Sequence, residues 1–203
     1  SATFIEQYTA GQSSSFQNTS VFCCVKENAT LNHVRIFSNA DEAINISSLY
    51  TEQAEGSNYE YFQFVSSSVL HRSDIYGKLN GVNSSCSLSG LTLSKDKQHS
   101  ATYINTDHTK PYCTSSQNFK SILNDMSSGV FNGRTVVQED SQKTNSRQSN
   151  KNLLLSDKAL MNSNPQLEIY ADDVKCAHGS TTGALDKEAL FYMQSRGINK
   201  QDA

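Results

Sequence analysis

The sequence predicts an all-β fold of many short strands stacked as a parallel β-helix, and three observations carry that expectation. Short apolar or alternating runs recur at spacings of about a dozen to twenty residues. Asn-Gly, the dipeptide of tight two-residue hairpins, occurs only at Asn80-Gly81 and Asn132-Gly133. Asn instead recurs singly between strand runs, at Asn18, Asn28, Asn39, Asn45, Asn58 and Asn105, where its tolerance of left-handed backbone suits a corner. A sandwich or barrel would share the strand pattern; scarce hairpins and lone corner residues favour the solenoid.

In chain order the strand runs are Thr3–Ile5, Val21–Val25, Val34–Phe37, Ser48–Tyr50, Tyr59–Val65, Leu91–Leu93, Thr102–Ile104, Thr135–Val137, Leu153–Leu155 and Leu167–Ala171. The last is the clearest, because Leu167, Ile169 and Ala171 share one face while Glu168, Tyr170 and Asp172 take the other. The polar stretch Glu139–Asn152 reads, on composition, as an exposed loop. After Gly183 the period changes, and Leu185–Gly197 reads as one helix with Asp186 as N-cap, a Leu185/Leu190 staple and Gly197 as terminator. Asn199 is expected to cap a second helix cut off at Ala203, as in a piece of a longer protein. The division is thus a β-helix core over 1–183 and the start of a helical region over 184–203.

Of the 203 residues 36% are hydrophobic and only 18% charged, so uncharged polar side chains, chiefly Ser and Asn, carry the polar balance. A net charge of −3 and a pI near 5.9 offer no global attraction to nucleic acid or anionic membranes. No apolar run approaches the roughly 20 residues that span a bilayer, and Ser1–Glu6 lacks a basic-then-apolar leader. A cytoplasmic location is expected. Five cysteines, two of them adjacent and none in a CxxC pair, argue against a disulfide framework or a zinc site and for reduced thiols. Cys23 and Cys24 point to opposite faces of their strand, so at least one should be core.

Nothing resembling GxxxxGK[ST], GxGxxG, GxSxG or HExxH occurs, which removes the usual nucleotide, hydrolase and zinc-protease chemistries. The strongest chemical candidate is Asp172-Asp173-Val174-Lys175-Cys176-Ala177-His178-Gly179. On an extended segment Cys176 and His178 project from one face, placing a thiol beside an imidazole, and Lys175 could favour the thiolate. Both are iron ligands, yet two ligands cannot close a tetrahedral site; on spacing alone a partly buried pair without a ligand role is the simpler reading. His99, His108, Asp107 and Cys113 fit turn and ladder roles better than a metal centre, and His33 and His71 have no supporting constellation. A β-helix polysaccharide-active enzyme is a rival class, weakened by the lack of paired carboxylates and of any Trp.

The run Pro165–Gly183, continuing through Leu190-Phe191-Tyr192 and Ser195-Arg196-Gly197-Ile198, resembles the SufB/SufD family of iron-sulfur cluster assembly scaffolds. Upstream, Lys110-Pro111-Tyr112-Cys113, Ser116-Gln117, Gly129–Arg134, Gln142-Lys143-Thr144 and Asn152–Ser156 match in order. Cys176-Ala177-His178-Gly179 resembles the SufD branch. Ser100 and Tyr112 depart from the family pattern, where Asp and His are common, as do Ser141 and Ser146, where small alanines are usual.

The resemblance implies a right-handed parallel β-helix and a non-catalytic scaffold that pairs with SufB through the β-helix ends and with the SufC ATPase through its helical region. It makes Cys176 and His178 ligands for iron or a nascent cluster at the heterodimer interface, absent from the isolated chain. Lys175, Gly179, Gln142 and Lys143 become partner-interface residues, and Phe191, Tyr192 and Arg196 a partial SufC-contacting region. Without a paralogue the same edge offers itself for a homodimer. Glu139–Asn152 becomes part of the solenoid.

Overall fold

The computed structural model describes residues 1–9, 14–38, 42–66, 68–199 and 202, and for Lys187 the backbone alone. Thirteen strands follow one another: β1 (Ala2–Tyr8), β2 (Phe16–Val25), β3 (Thr30–Ser38), β4 (Ile44–Gln53), β5 (Asn58–Ser66), β6 (Leu70–Leu79), β7 (Ser85–Ser94), β8 (His99–His108), β9 (Thr114–Leu123), β10 (Ser128–Val137), β11 (Asn145–Leu154), β12 (Leu160–Ile169) and β13 (Lys175–Ala184). The helix α1 (Lys187–Ser195) closes the series. Odd-numbered strands form one seven-stranded sheet and even-numbered strands a six-stranded one, every pairing parallel. This is the predicted parallel solenoid: each turn lays one strand on each sheet, and in-register partners lie from 26 (Ile44↔Leu70) to 32 (Ser128↔Leu160) residues apart.

Each strand alternates inward and outward, and the inward rows meet in a lumen of mixed character. Leu49, Tyr59, Ile75, Leu79, Leu88, Ile104, Phe119 and Phe131 form its apolar cluster, each such burial worth about 1.5–3 kcal/mol. Among them run buried amides and hydroxyls. Gln63 donates to Thr102 (3.3 Å), Gln117 to Thr106 and Thr135 (3.2 and 3.3 Å), and Gln148 to Thr135 (2.8 Å). Such bonds net only about 1 kcal/mol each, whereas a slip that orphans one costs about 1–3. The apolar cluster therefore supplies most of the stability, and the polar rows pin the register.

Three strands, β6, β9 and β13, have no counterpart among the expected runs. Their inward rows open on His71 and Ser73, on Ser115 and Gln117, and on Cys176 and His178, so the apolar inward residues Ile75, Leu79, Phe119 and Leu123 are too few and too late to form an alternating run. The expected runs otherwise fall on strands, although Leu155, Tyr170 and Ala171 lie just beyond the ends of theirs. Glu139–Asn152 is not an exposed loop: residues 139–143 turn a corner, and β11 begins at Asn145 with Ser146, Gln148, Asn150 and Asn152 all buried.

The corners are left-handed, but seldom where lone Asn residues were expected. Asn28 (φ 55°) and Asn83 (φ 58°) turn corners, as do Gly56, Asp96, Tyr112, Asp125 and Lys143. Asn18, Asn45, Asn58 and Asn105 lie inside strands, and Asn39 lies outside the described residues. Corners stack through the backbone, Asn28 N–H donating to Glu55, Gly56 to Val82, and Tyr112 to Gln142 (all 2.9 Å). Stacking leaves little room: a Cβ on Gly81 would collide with the Glu55 backbone. Asn132-Gly133 is no hairpin at all but lies in mid-β10, where a Cβ on Gly133 would meet the Phe131 ring at 2.8 Å.

α1 matches its sequence signals. The Asp186 carboxylate accepts from Glu188 N–H (2.8 Å) and Ala189 N–H (3.3 Å), and Gly197 ends the helix at φ 89°. Asn199 accepts from Asp202 N–H (3.0 Å), as a cap would. No helix among the described residues is long and apolar enough to cross a membrane.

Candidate functional site

β12 and β13 each hydrogen-bond to one neighbour only, so among the described residues the last turn of the solenoid is open. Its sequence fits that position. Pro165 lies within β12 opposite Gly133 and has no N–H for a second ladder, a residue tolerated on edge strands. The inward row that is buried as Ser146, Gln148, Asn150 and Asn152 on β11 continues in register as Cys176, His178, Ser180 and Thr182 on β13. Being last, this row faces outward along the solenoid axis: Cys176 is half-buried and His178 exposed.

Cys176 and His178 lie two residues apart on this face, about 6.6 Å along the strand. Burial raises the Cys176 thiol pKa, opposed by a backbone hydrogen bond with Ser146. The thiol therefore keeps its proton near neutrality until a cation displaces it; the expected thiolate-favouring role of Lys175 is absent from these causes. His178 makes no hydrogen bond among the described residues, which leaves its imidazole available. From β12, Met161, Ser163, Pro165 and Leu167 share this end, with Ser180 donating to Ser163 (2.7 Å) and Ser163 to Asn150 (2.8 Å). No third His, Cys, Asp or Glu among the described residues joins the pair. The end thus presents one thiol and one imidazole.

The neighbouring expected residues fall on the same end. Lys143 turns a corner at φ 64° and pairs with Asp173, while Gln142 accepts from Asp173 N–H (2.9 Å) and donates to Glu139 (3.0 Å). Lys175 is exposed, and a Cβ on Gly179 would meet nothing within 4 Å, so that stretch of β13 is flat and open. On α1, Phe191 and Tyr192 are 71% and 59% exposed, and just past it Arg196 lies over the Tyr192 ring at 5.3 Å, donating to its hydroxyl (3.0 Å).

His99, His108 and Cys113 do not converge. His99 and His108 occupy opposite ends of β8, bonded to Ser128 (2.7 Å) and Ser115 (2.8 Å). Cys113 fills a corner against Ser84 and Gly81, both at 3.2 Å. Cys23 packs on the core and Cys24 is exposed. His33, by contrast, does have a constellation. Its Nε2 meets Glu6 at 2.5 Å and its Nδ1 meets Tyr59 at 2.8 Å, while buried Arg35 donates to Tyr8 (2.7 Å) and lies 3.3 Å from Glu6. The sequence clue was the shared face of His33 and Arg35, but only the register brings Glu6 onto it. Asp96 and Asp125 meet at stacked corners, where Asp125 accepts from Asp96 N–H (3.1 Å), a turn role rather than a catalytic pair.

Thirteen strands stacked in two parallel sheets, with a thiol and an imidazole side by side on the last of them, define a parallel β-solenoid protein. The chain belongs to the SufBD core domain family of the SUF system for FeS cluster assembly, whose model matches residues 1–203. It is 37% identical, over 88% of its length, to the iron-sulfur cluster assembly protein SufD of Escherichia coli, covering 42% of that protein. It is 32% identical over 87% of its length to an iron-sulfur cluster assembly SufBD family protein of Synechocystis, covering 39%. To the chloroplastic protein ABCI7 of Arabidopsis thaliana it is 32% identical over 88% of its length, covering 38%. The chain thus spans about two fifths of the length of these relatives.

Proposed function

We propose that this chain is the core of a SufD-type scaffold subunit, non-catalytic itself, which pairs through the β12/β13 end with a SufB-type solenoid and works with the ATPase SufC in the cytoplasm. The observation that carries this reading is the open last turn, where the lumen row ends in Cys176 and His178. A free strand edge recruits a second strand by backbone hydrogen bonding, and the exposed imidazole and half-buried thiol then face the partner.

Iron or a nascent cluster is the cargo at this junction. Cys176 would give up its proton to bind as thiolate and His178 would bind as neutral imidazole, with the remaining ligands coming from the partner. Gln142, Lys143, Lys175 and Gly179 border the junction, and the exposed Phe191, Tyr192 and Arg196 face of α1 suits SufC. The full-length protein should co-purify with its SufB and SufC counterparts. The Cys176→Ala/His178→Ala double variant should keep the complex but lose most cluster assembly in cells. Failure to co-purify would overturn the pairing, and unchanged assembly by the double variant would remove the ligand role and leave a purely structural module.

A further inference from the structure

The two sheets treat their surface charges differently. On the six-stranded sheet, cations meet carboxylates: Lys78 stacks between Glu52 and Asp107, Arg72 pairs with Asp74 (2.9 Å), and Arg134 grips Glu168 (2.6 Å). On the seven-stranded sheet, β7, β9, β11 and β13 contain no Asp or Glu at all. Yet their outer face carries Lys120, Arg147, Lys151 and Lys175, all exposed and none ion-paired among the described residues. Lys120 and Lys151 are direct neighbours in register, about 4.8 Å apart in the hydrogen-bonding direction. Like charges stacked this way repel. In a chain of net charge −3 this face is not a product of composition.

Two features beside the cations restrict what the face could hold. A groove of about 290 Å³ is lined by Ser87, Thr114, Ser116, Asn145 and Arg147, offering hydroxyl and amide donors next to a guanidinium. The row that holds Lys120 and Lys151 passes through Ile36, Phe64 and Leu91 before them, and Leu93, Ile122 and Leu153 stack in the row alongside. Four cations are fewer than the roughly six to ten phosphate contacts of a typical duplex-binding protein, and the outer faces of β9, β11 and β13, which hold them, carry no aromatic ring for bases to stack on.

We propose that the outer face of β9 and β11 docks an acidic polypeptide segment that also carries apolar side chains, at a site separate from the β12/β13 end that Lys175 borders. Carboxylates bridge Lys120 and Lys151 and enter the groove at Arg147, relieving the stacked repulsion, while the apolar side chains lie on the Phe64/Leu91/Leu153 rows. The test is fluorescence anisotropy of a labelled peptide of repeated Glu-Glu-Leu triplets against the full chain. Binding should weaken by about tenfold or more with Lys120→Glu/Lys151→Glu and by less with Lys120→Gln/Lys151→Gln. It should fall as salt shortens the screening length from ~8 Å toward ~3 Å, and Lys78→Glu on the opposite sheet should leave it unchanged. Undiminished binding by the double reversal, no binding by the native chain, or tighter binding of a single-stranded oligonucleotide or of anionic vesicles would each overturn the proposal.

Discussion

At the scale of single residues, the buried histidines set how the protein answers acid. His71 is pushed down to about 3 and His108 to about 4, in both cases chiefly by burial, and burial also lowers His33. In the folded state these rings stay neutral, held by Ser73 (2.9 Å) and Ser115 (2.8 Å), whereas an unfolded histidine protonates near 6.5. The unfolded chain therefore binds more protons below about pH 6.5, so stability is full above that pH and drains as pH falls toward about 4. Thermal unfolding followed by circular dichroism should show Tm dropping across that window, with a shallower drop in His108→Gln; an equal slope would remove His108 from the effect. Ser115 and Ser146 link in turn (2.9 Å), so a serine where the family favours alanine extends the His108 ladder by one rung. That Cys176 and His178 share a face was legible from their i, i+2 spacing, but their exposure was not, because it depends on being last in a row.

At the scale of elements, corners rather than strands carry the backbone strain. Tyr112 holds φ 61° with its ring 57% exposed, so it endures left-handed backbone without much packing in return. Left-handed backbone costs a non-glycine residue about 1–2 kcal/mol, partly offset in Tyr112→Gly by the added freedom of the unfolded chain. Tyr112→Gly should raise stability by about 0.5–1 kcal/mol, read as a higher urea midpoint at unchanged slope; a lower midpoint would mean the ring packs more than its exposure indicates. Gly56→Ala should do the reverse and cost about 1–2 kcal/mol or more, since a Cβ there is both left-handed and forced onto the Asn28 side chain. Corner positions escaped the sequence because Asn, Asp, Gly, Tyr and Lys all fill them. What they share is a place in the stack, and no single residue type marks it.

At the scale of the whole molecule, the solenoid is a column in which each turn touches only the turns above and below, so stability is nearly additive along its axis. Middle strands such as β7 and β8 have neighbours on both sides, whereas β1, β2, β12 and β13 have one among the described residues. Amide hydrogen exchange read by mass spectrometry should be slowest through β5–β9 and fastest in the end strands β1, β2, β12 and β13, and pairing with a SufB-type partner should slow β13 most. Uniform protection along the column would contradict this gradient. By itself the sequence determined that the chain is all-β, that hairpins are rare, that a capped helix follows Gly183, and that Cys176 and His178 share a face, because these follow from period, propensity and local capping. Only the tertiary structure decided that polar strands such as β6 and β9 are buried, that Glu6 meets His33 and Arg35, that Lys120 stacks on Lys151, and that among the described residues β13 pairs on one side alone. Each of those depends on register between residues some thirty positions apart, which local sequence does not encode until the turns are stacked.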